Sequence, residues 1–220
     1  MTAQDRFQKS QELLFFGKVN ASISHELKNI LAIISETAGF LKDLAEMPPG
    51  GESLTQETIL TCCRDIIEEV QRGFATIAQM NAFAHSVDVP LKGINLVDIT
   101  DMVIGLAEFL KIAGKIKLNP PPQKATMEVL TSPFQIQHLI YRTIVLAFES
   151  AGPGAELELS IRTTKTDHVR ISLTGLAFEG ARKIQMDEIN RIAALIGAQM
   201  ELTESDAIEI LVPRHPDVLK

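Results

Sequence analysis

The sequence HELKN, residues 25–29, lies inside a long amphipathic stretch that extends from about Gln4 to Leu44. Residues four apart share one face of a helix, so the imidazole of His25 and the amide of Asn29 should lie side by side, with the Glu26 carboxylate on the flank. A neutral imidazole is a good nucleophile near neutral pH, and a neighbouring carboxylate can fix its tautomer. The amide could hold a phosphoryl oxygen or position a water. The pentapeptide is therefore typical of phosphoryl transfer, although a His followed by Glu is more often a solvated helix face.

The apolar residues around this segment recur at spacings of three and four, which is the pattern of a helix packed in a bundle. They are Phe16, Val19, Ile23, Leu27, Ile30, Ile34, Leu41 and Leu44, with Thr37 filling the one gap. His25 lies two residues from Ile23, about 200° around the helix, so we expect it to face solvent. The face around it carries Ala21, Ser22, Lys28 and Ala32. We interpret these small or polar side chains, Ser22, Lys28 and Ala32 in particular, as a surface left clear for partner docking.

A cluster of helix breakers, MPPGGES at residues 47–53, ends this helix. A second helical pattern runs through Ile59, Cys62 or Cys63, Ile66, Val70, Phe74, Ile77 and Ala84, with Thr55 or Ser53 as its cap. Two such helices joined by a turn predict an antiparallel hairpin. A lone hairpin cannot bury both seams, so we expect a homodimer in which two hairpins form a four-helix bundle.

The rest of the chain alternates between strand-like and helix-like patterns, which predicts an α+β fold with a helical domain over residues 1–88 and a second domain over 89–220. Extended segments are predicted near residues 93–96, 115–118, 127–130, 156–162, 169–173, 199–203 and 207–212. Helices are predicted over residues 97–110, 134–150 and 186–196, with Pro133 at a first helical position and Gly197 as a C-terminal stop.

The run from Gly17 to Asn29 resembles the H-box of the dimerisation and histidine-phosphotransfer domain of two-component histidine kinases. The resemblance implies that His25 is the phosphoryl acceptor, that Glu26 is a base or orienting group, and that Asn29 supports phosphatase chemistry. Many H-boxes place proline where this chain has Ile30, so the helix should run straighter. The order of elements in the second domain is similar to the GHKL ATPase domain of the same family, an α/β sandwich.

The second domain departs from that family at the residues that hold nucleotide. Leu146 stands where the family has a magnesium-holding Asn, and leucine offers no oxygen ligand. The family's Asp-x-Gly-x-Gly box matches GLAFEG at residues 175–180, where Gly175 replaces the adenine-reading Asp. Glu149 lies near the position of a general base in ATP-cleaving relatives, and we interpret it as a helix-surface acid. We predict a degenerate domain that does not bind ATP.

Composition limits the other classes of function. The chain has 220 residues, a formal charge of −7, one Tyr and no Trp, which argues against nucleic-acid binding. No apolar run reaches the roughly 20 residues needed to span a bilayer, and residues 1–6 lack the apolar segment of a signal peptide. The adjacent Cys62 and Cys63 make a poor metal site. We expect a cytoplasmic protein with no membrane segment, no metal and no cofactor of its own.

Two classes of function remain. The first is a histidine phosphotransferase of a two-component phosphorelay, which passes a phosphoryl group between the aspartates of response-regulator receiver domains through phosphorylated His25. The receiver would supply Mg²⁺, and a hybrid histidine kinase is a further candidate partner. The second class is a non-enzymatic pseudokinase dimer that binds and inhibits a kinase or a response regulator. A response-regulator phosphatase that uses Asn29 and Glu26 is an alternative with related chemistry. The intact HELKN set favours the phosphotransferase.

Overall fold

The computed structural model describes residues 3–48, 54–109, 115–119, 127–151, 156–175, 182–203 and 207–215. The α-helices within these residues are α1 (Ala3–Glu46), α2 (Gln56–Ala84), α3 (Leu96–Phe109), α4 (Pro133–Ala151) and α5 (Arg182–Leu195). The strands are β1 (Lys92–Asn95), β2 (Lys115–Asn119), β3 (Glu128–Thr131), β4 (Glu156–Thr163), β5 (His168–Thr174), β6 (Gln199–Leu202) and β7 (Ile208–Pro213). One turn of 3₁₀-helix, His85–Val87, follows α2 directly.

The chain divides into two compact units. One consists of Phe16–Ala82 and is helical; the other combines Met1–Phe15 with Phe83–Lys220. Helix α1 therefore contributes its first part to the second unit and the remainder to the helical unit. The predicted domain boundary after residue 88 stays a prediction.

Helices α1 and α2 bury matching faces in the helical unit. The side chains of Val19, Ile23 and Ile30 are almost fully buried on α1. On α2 the inward positions also follow spacings of three and four, and they are Cys62, Ile66, Glu69, Gly73, Thr76 and Met80. The helices come close at Gly73, where an added Cβ would lie 3.6 Å from Ile30 Cγ2. The start of α2 is capped as expected, since Thr55 Oγ1 accepts a hydrogen bond from Thr58 N at 3.1 Å.

The second unit is built on a five-stranded sheet with the order β2-β4-β5-β7-β6. Strands β2 and β4 are parallel, and the other neighbours are antiparallel. Strands β1 and β3 form a separate antiparallel pair. Alternate residues of β4, β5 and β7 are buried, which is the pattern of a sheet with one face against a core. Helix α4 is buried along most of its length and supplies much of that core.

An aromatic cluster lies at the start of this unit. The ring of Phe15 stacks on that of His138, with centroids 4.7 Å apart. Phe15 also meets Phe83 at 5.6 Å in an edge arrangement and Tyr141 at 5.0 Å, and Phe134 completes the cluster. The cluster explains why the first residues of α1 group with the residues that follow α2, because Phe15 has its aromatic neighbours there.

The predicted α+β class and order of elements are confirmed. The largest difference among the helix starts is at α5, which begins at Arg182 rather than Met186. Gly197 ends α5 as expected, with φ of +67° and a hydrogen bond from Ala198 N to Ala193 O. Residues 49–53 of the predicted breaker and 176–180 of the predicted glycine box lie outside the described residues. The predicted homodimer stays a prediction.

Burial of His138 predicts an acid-sensitive fold. Burial, and after it the positive charge of Arg142, together lower the pKa of His138 to about 4. Neither ring nitrogen has a hydrogen-bond partner among the described residues. An unfolded histidine has a pKa of about 6.5. Between that pH and about pH 4, His138 is therefore protonated in the unfolded chain but neutral in the folded chain. The free energy of unfolding should fall between about pH 6.5 and pH 4, by on the order of 3 kcal/mol from this group.

The test is urea unfolding of the native chain and of His138→Phe, which keeps the ring stack. The difference in unfolding free energy between the two should be constant above about pH 6.5 and should grow in favour of the variant below it. His215→Gln removes an exposed histidine and serves as the matched control. Parallel curves for the native chain and His138→Phe would contradict the assignment.

Candidate functional site

The site begins with His25, which is exposed on α1 as predicted. Its Nδ1 lies 3.3 Å from Asn29 Nδ2, one helical turn further on. Lys28 and Ala32 are also exposed. The structure therefore brings the imidazole and the amide together on an open face of the helix, with the outer ring nitrogen, Nε2, pointing away from the Asn29 contact.

Glu26 lies on a different face. Its side chain is 10% exposed, and Oε1 is paired with Nη2 of Arg72 on α2. The other nitrogen, Arg72 Nη1, lies 3.0 Å from both carboxylate oxygens of Glu69. The hydrogen bond to Glu26 is the main cause that raises the pKa of Arg72 above its usual value. We call Glu26, Arg72 and Glu69 the Arg72 clamp.

The prediction that Ser22 lies exposed on the docking face is wrong, because its side chain is only 6% exposed. Ser22 lies three residues after Val19 and four before Glu26, so it shares the face that α1 turns toward α2. The prediction that Glu26 lies on the flank of the exposed patch is also wrong, because Glu26 is buried on the face that α1 turns toward α2. Lys28 and Ala32 keep the exposure that the docking prediction requires.

Sequence reasoning missed Arg72. It lies 46 residues from Glu26, and no local spacing connects the two. The sequence offered no signal for it, because the α2 seam predicted through Val70, Phe74 and Ile77 places Arg72 on the opposite side of the helix. The structure leaves those three residues exposed and turns Glu69 and Gly73, on either side of Arg72, toward α1.

Three of the positions that the resemblance brought into question lie among the described residues of the second unit. Leu146 is buried in α4. Gly175 has φ of +91°, and an added Cβ would lie 2.5 Å from Glu156 O, so only glycine fits there. Glu149 is exposed, as expected of a helix-surface acid. In the part of the chain that the structure describes, no three His, Cys, Asp or Glu side chains are grouped closely enough to hold a metal ion.

None of the helices, over their described residues, combines the length and the apolar character needed to cross a bilayer.

No protein-family model matches the chain. In sequence it is 21% identical over 189 residues to the sensor histidine kinase ZraS of Salmonella typhi. The ZraS of Salmonella typhimurium gives the same identity over the same length. These alignments cover 86% of this chain but only 38% of either relative, so the chain spans about two fifths of the length of the curated relatives it matches.

Solved structures of histidine kinases match parts of the fold. The catalytic domain of histidine kinase ThkA has a TM-score of 0.47 at 15% identity and covers 59% of this chain and 100% of that domain. The Acinetobacter baumannii histidine kinase AdeS has a TM-score of 0.46 at 9% identity, covering 86% of this chain and 98% of that one. ThkA in complex with the response regulator TrrA has a TM-score of 0.45 at 16% identity, covering 96% and 65%. The chain has N-terminal helices followed by an α/β unit, as predicted, and its sequence is similar to those of sensor histidine kinases.

Proposed function

We propose that the chain is a histidine phosphotransferase of a two-component phosphorelay, with His25 as the phosphoryl acceptor. The observation that carries the proposal is the exposed imidazole of His25, hydrogen-bonded to Asn29 on a helix face that also leaves Lys28 and Ala32 open. Sequence similarity to sensor histidine kinases supports two-component signalling as the setting.

The proposed reaction is a transfer between an acyl phosphate and an imidazole. Nε2 of neutral His25 attacks the phosphorus of a receiver's phospho-aspartate, the N–P bond forms, and the P–O bond to the aspartate carboxylate breaks. The ring keeps its proton on Nδ1 and becomes a positively charged phospho-imidazolium, and the released aspartate carboxylate carries the matching negative charge. The reverse reaction delivers the group to a second receiver. The transition state is loose, so positioning and charge stabilisation dominate, and the Mg²⁺ of the receiver would neutralise the phosphoryl oxygens. An open helix face suits this role because the receiver must bring its own active site to the ring.

His25→Ala should abolish transfer of label from one phosphorylated receiver domain to another, because it removes the imidazole that is the proposed phosphoryl acceptor. The chain should stay folded, since His25 is exposed. His85→Ala removes another exposed imidazole and should leave transfer unchanged. Following acid-labile label on each protein measures the outcome. Transfer at the native rate by His25→Ala would favour the alternative of a non-enzymatic inhibitory dimer.

The proposed phosphotransferase is a homodimer, and a stripe of exposed apolar residues on α2 supports this. Its members are spaced by three, four or seven residues, and they are Leu60, Ile67, Val70, Phe74 and Ile77. The stripe lies about 110° around the helix from the face that packs on α1. Each helix of a four-helix bundle contacts two neighbours, so α2 offers a second contact face suited to another copy of the chain.

Phe74→Asp should convert the homodimer into a monomer. Phe74 is 69% exposed in the single chain, so a carboxylate there leaves the hairpin solvated but would be buried without a partner in the dimer. Light scattering on a size-exclusion column measures the mass. Ala75→Asp adds the same charge to an exposed position outside the stripe and should remain dimeric. A native chain that is monomeric at micromolar concentration would refute the bundle.

The proposed phosphotransferase takes its phosphoryl group from a receiver and not from ATP. We therefore expect titration calorimetry to show no measurable binding of Mg-ATP. Leu146 is buried and lacks an oxygen ligand, and Gly175 leaves no room for an adenine-reading Asp. Leu146→Asn should not create binding by itself, because it restores only one of the two positions. A low-micromolar dissociation constant for the native chain would overturn this and make an autokinase the leading function.

A further inference from the structure

The two groups expected to cooperate at the site, His25 and Glu26, have separate hydrogen-bond partners. The imidazole is bonded through Nδ1 to Asn29 on its own helix. The carboxylate is bonded to Arg72 on the neighbouring helix. Adjacent residues on a helix point about 100° apart. His25 therefore contacts Asn29 on the exposed face, while Glu26 contacts Arg72 of α2.

The Arg72 clamp holds the carboxylate firmly. Its two carboxylates are 10% and 17% exposed, whereas the Arg72 side chain is 45% exposed. The guanidinium fork donates to both carboxylates at once, one on each helix, and it keeps its charge at any ordinary pH. A carboxylate so little exposed cannot leave this cation without a new partner, because an unpaired buried charge is costly.

The amide of Asn29 is left to fix the tautomer of the ring. An amide can donate through nitrogen or accept through oxygen, and rotation of this exposed side chain exchanges the two. Attack by Nε2 requires a free lone pair there, so the proton must lie on Nδ1 and be donated to Asn29 Oδ1. In the contact that the structure shows, Asn29 Nδ2 donates to Nδ1, so the proton lies on Nε2 and the outer nitrogen is blocked.

We propose that Arg72 is a positioning residue that withholds Glu26 from His25, so that Asn29 alone sets the ring tautomer while the Arg72 clamp is closed. Opening the clamp frees the carboxylate to accept the Nδ1 proton, which favours the tautomer with a free Nε2. Glu26 can therefore orient the His25 ring only when its hydrogen bond to Arg72 is broken. This inference rests on the proposed role of His25 as phosphoryl acceptor.

The test is the tautomer ratio of His25, read from the imidazole nitrogen shifts of the ¹⁵N-labelled full chain. The measurement is made in mildly alkaline buffer, and His25→Gln identifies the His25 signals. Arg72→Gln should shift the ratio toward the Nδ1–H tautomer by about threefold to tenfold, the range of one net hydrogen bond. Arg72→Lys keeps a charge beside Glu26 and should lie between the two. Arg64→Gln removes a different exposed Arg of α2 and should leave the ratio unchanged.

A second substitution separates release of Glu26 from general loosening of the hairpin. Arg72→Gln combined with Glu26→Gln should return the ratio to the native value, because the freed carboxylate is gone. Glu26→Gln alone should not move it. If Arg72→Gln does not fold, Arg72→Lys takes its place, with the smaller shift expected. An unchanged ratio in the folded Arg72 variant, or a shift in Glu26→Gln alone, would overturn the proposal.

The same variants in the receiver assay connect the clamp to the reaction. Arg72→Gln should transfer label about threefold to tenfold faster than the native chain, in line with the tautomer shift. Slower transfer in this variant would overturn the restraining role of Arg72. Absence of transfer by the native chain would refute the proposed function instead, while the tautomer measurement, which needs no receiver, would still decide whether Arg72 controls the access of Glu26 to the ring.

Discussion

Packing of α1 against α2 is the constraint on which the site depends. Once Val19, Ile23 and Ile30 are buried, the direction of every other side chain on that part of α1 is fixed by the 100° step between residues. The same step that turns His25 outward turns Glu26 inward, where a carboxylate needs a cation. Arg72 answers that requirement from the facing helix. The exposure of the His25 imidazole and the pairing of the Glu26 carboxylate therefore both follow from the packing of α1 on α2.

The helical and strand periods were readable from sequence because they are repeated many times. Thr55, Pro133 and Gly197 marked element ends through local chemistry that the structure retains. Ser22 and Glu26 were misplaced because the buried face was drawn through apolar residues alone. A polar residue at the border of such a face is buried or exposed according to the neighbouring helix, and its own sequence does not say which.

Long-range polar pairs are a second limit on prediction. Arg72 and Glu26 are joined only by the hairpin, and their spacing in the chain carries no period. The three groups of the HELKN motif could be named from sequence because they lie within one turn. How they divide their hydrogen bonds could not, since that depends on Arg72 and Glu69 of the other helix.

The backbone conformation at Gly175 limits which substitutions this position can accept during evolution. Its positive φ and its approach to the Glu156 carbonyl tie the residue to the backbone of β4. On the proposed correspondence with the adenine-reading position, a single codon change from Gly175 to Asp would not supply that acid, because its Cβ would clash with the Glu156 carbonyl. Any evolutionary route that places a side chain at residue 175 must therefore first rebuild β4 and its neighbouring turn.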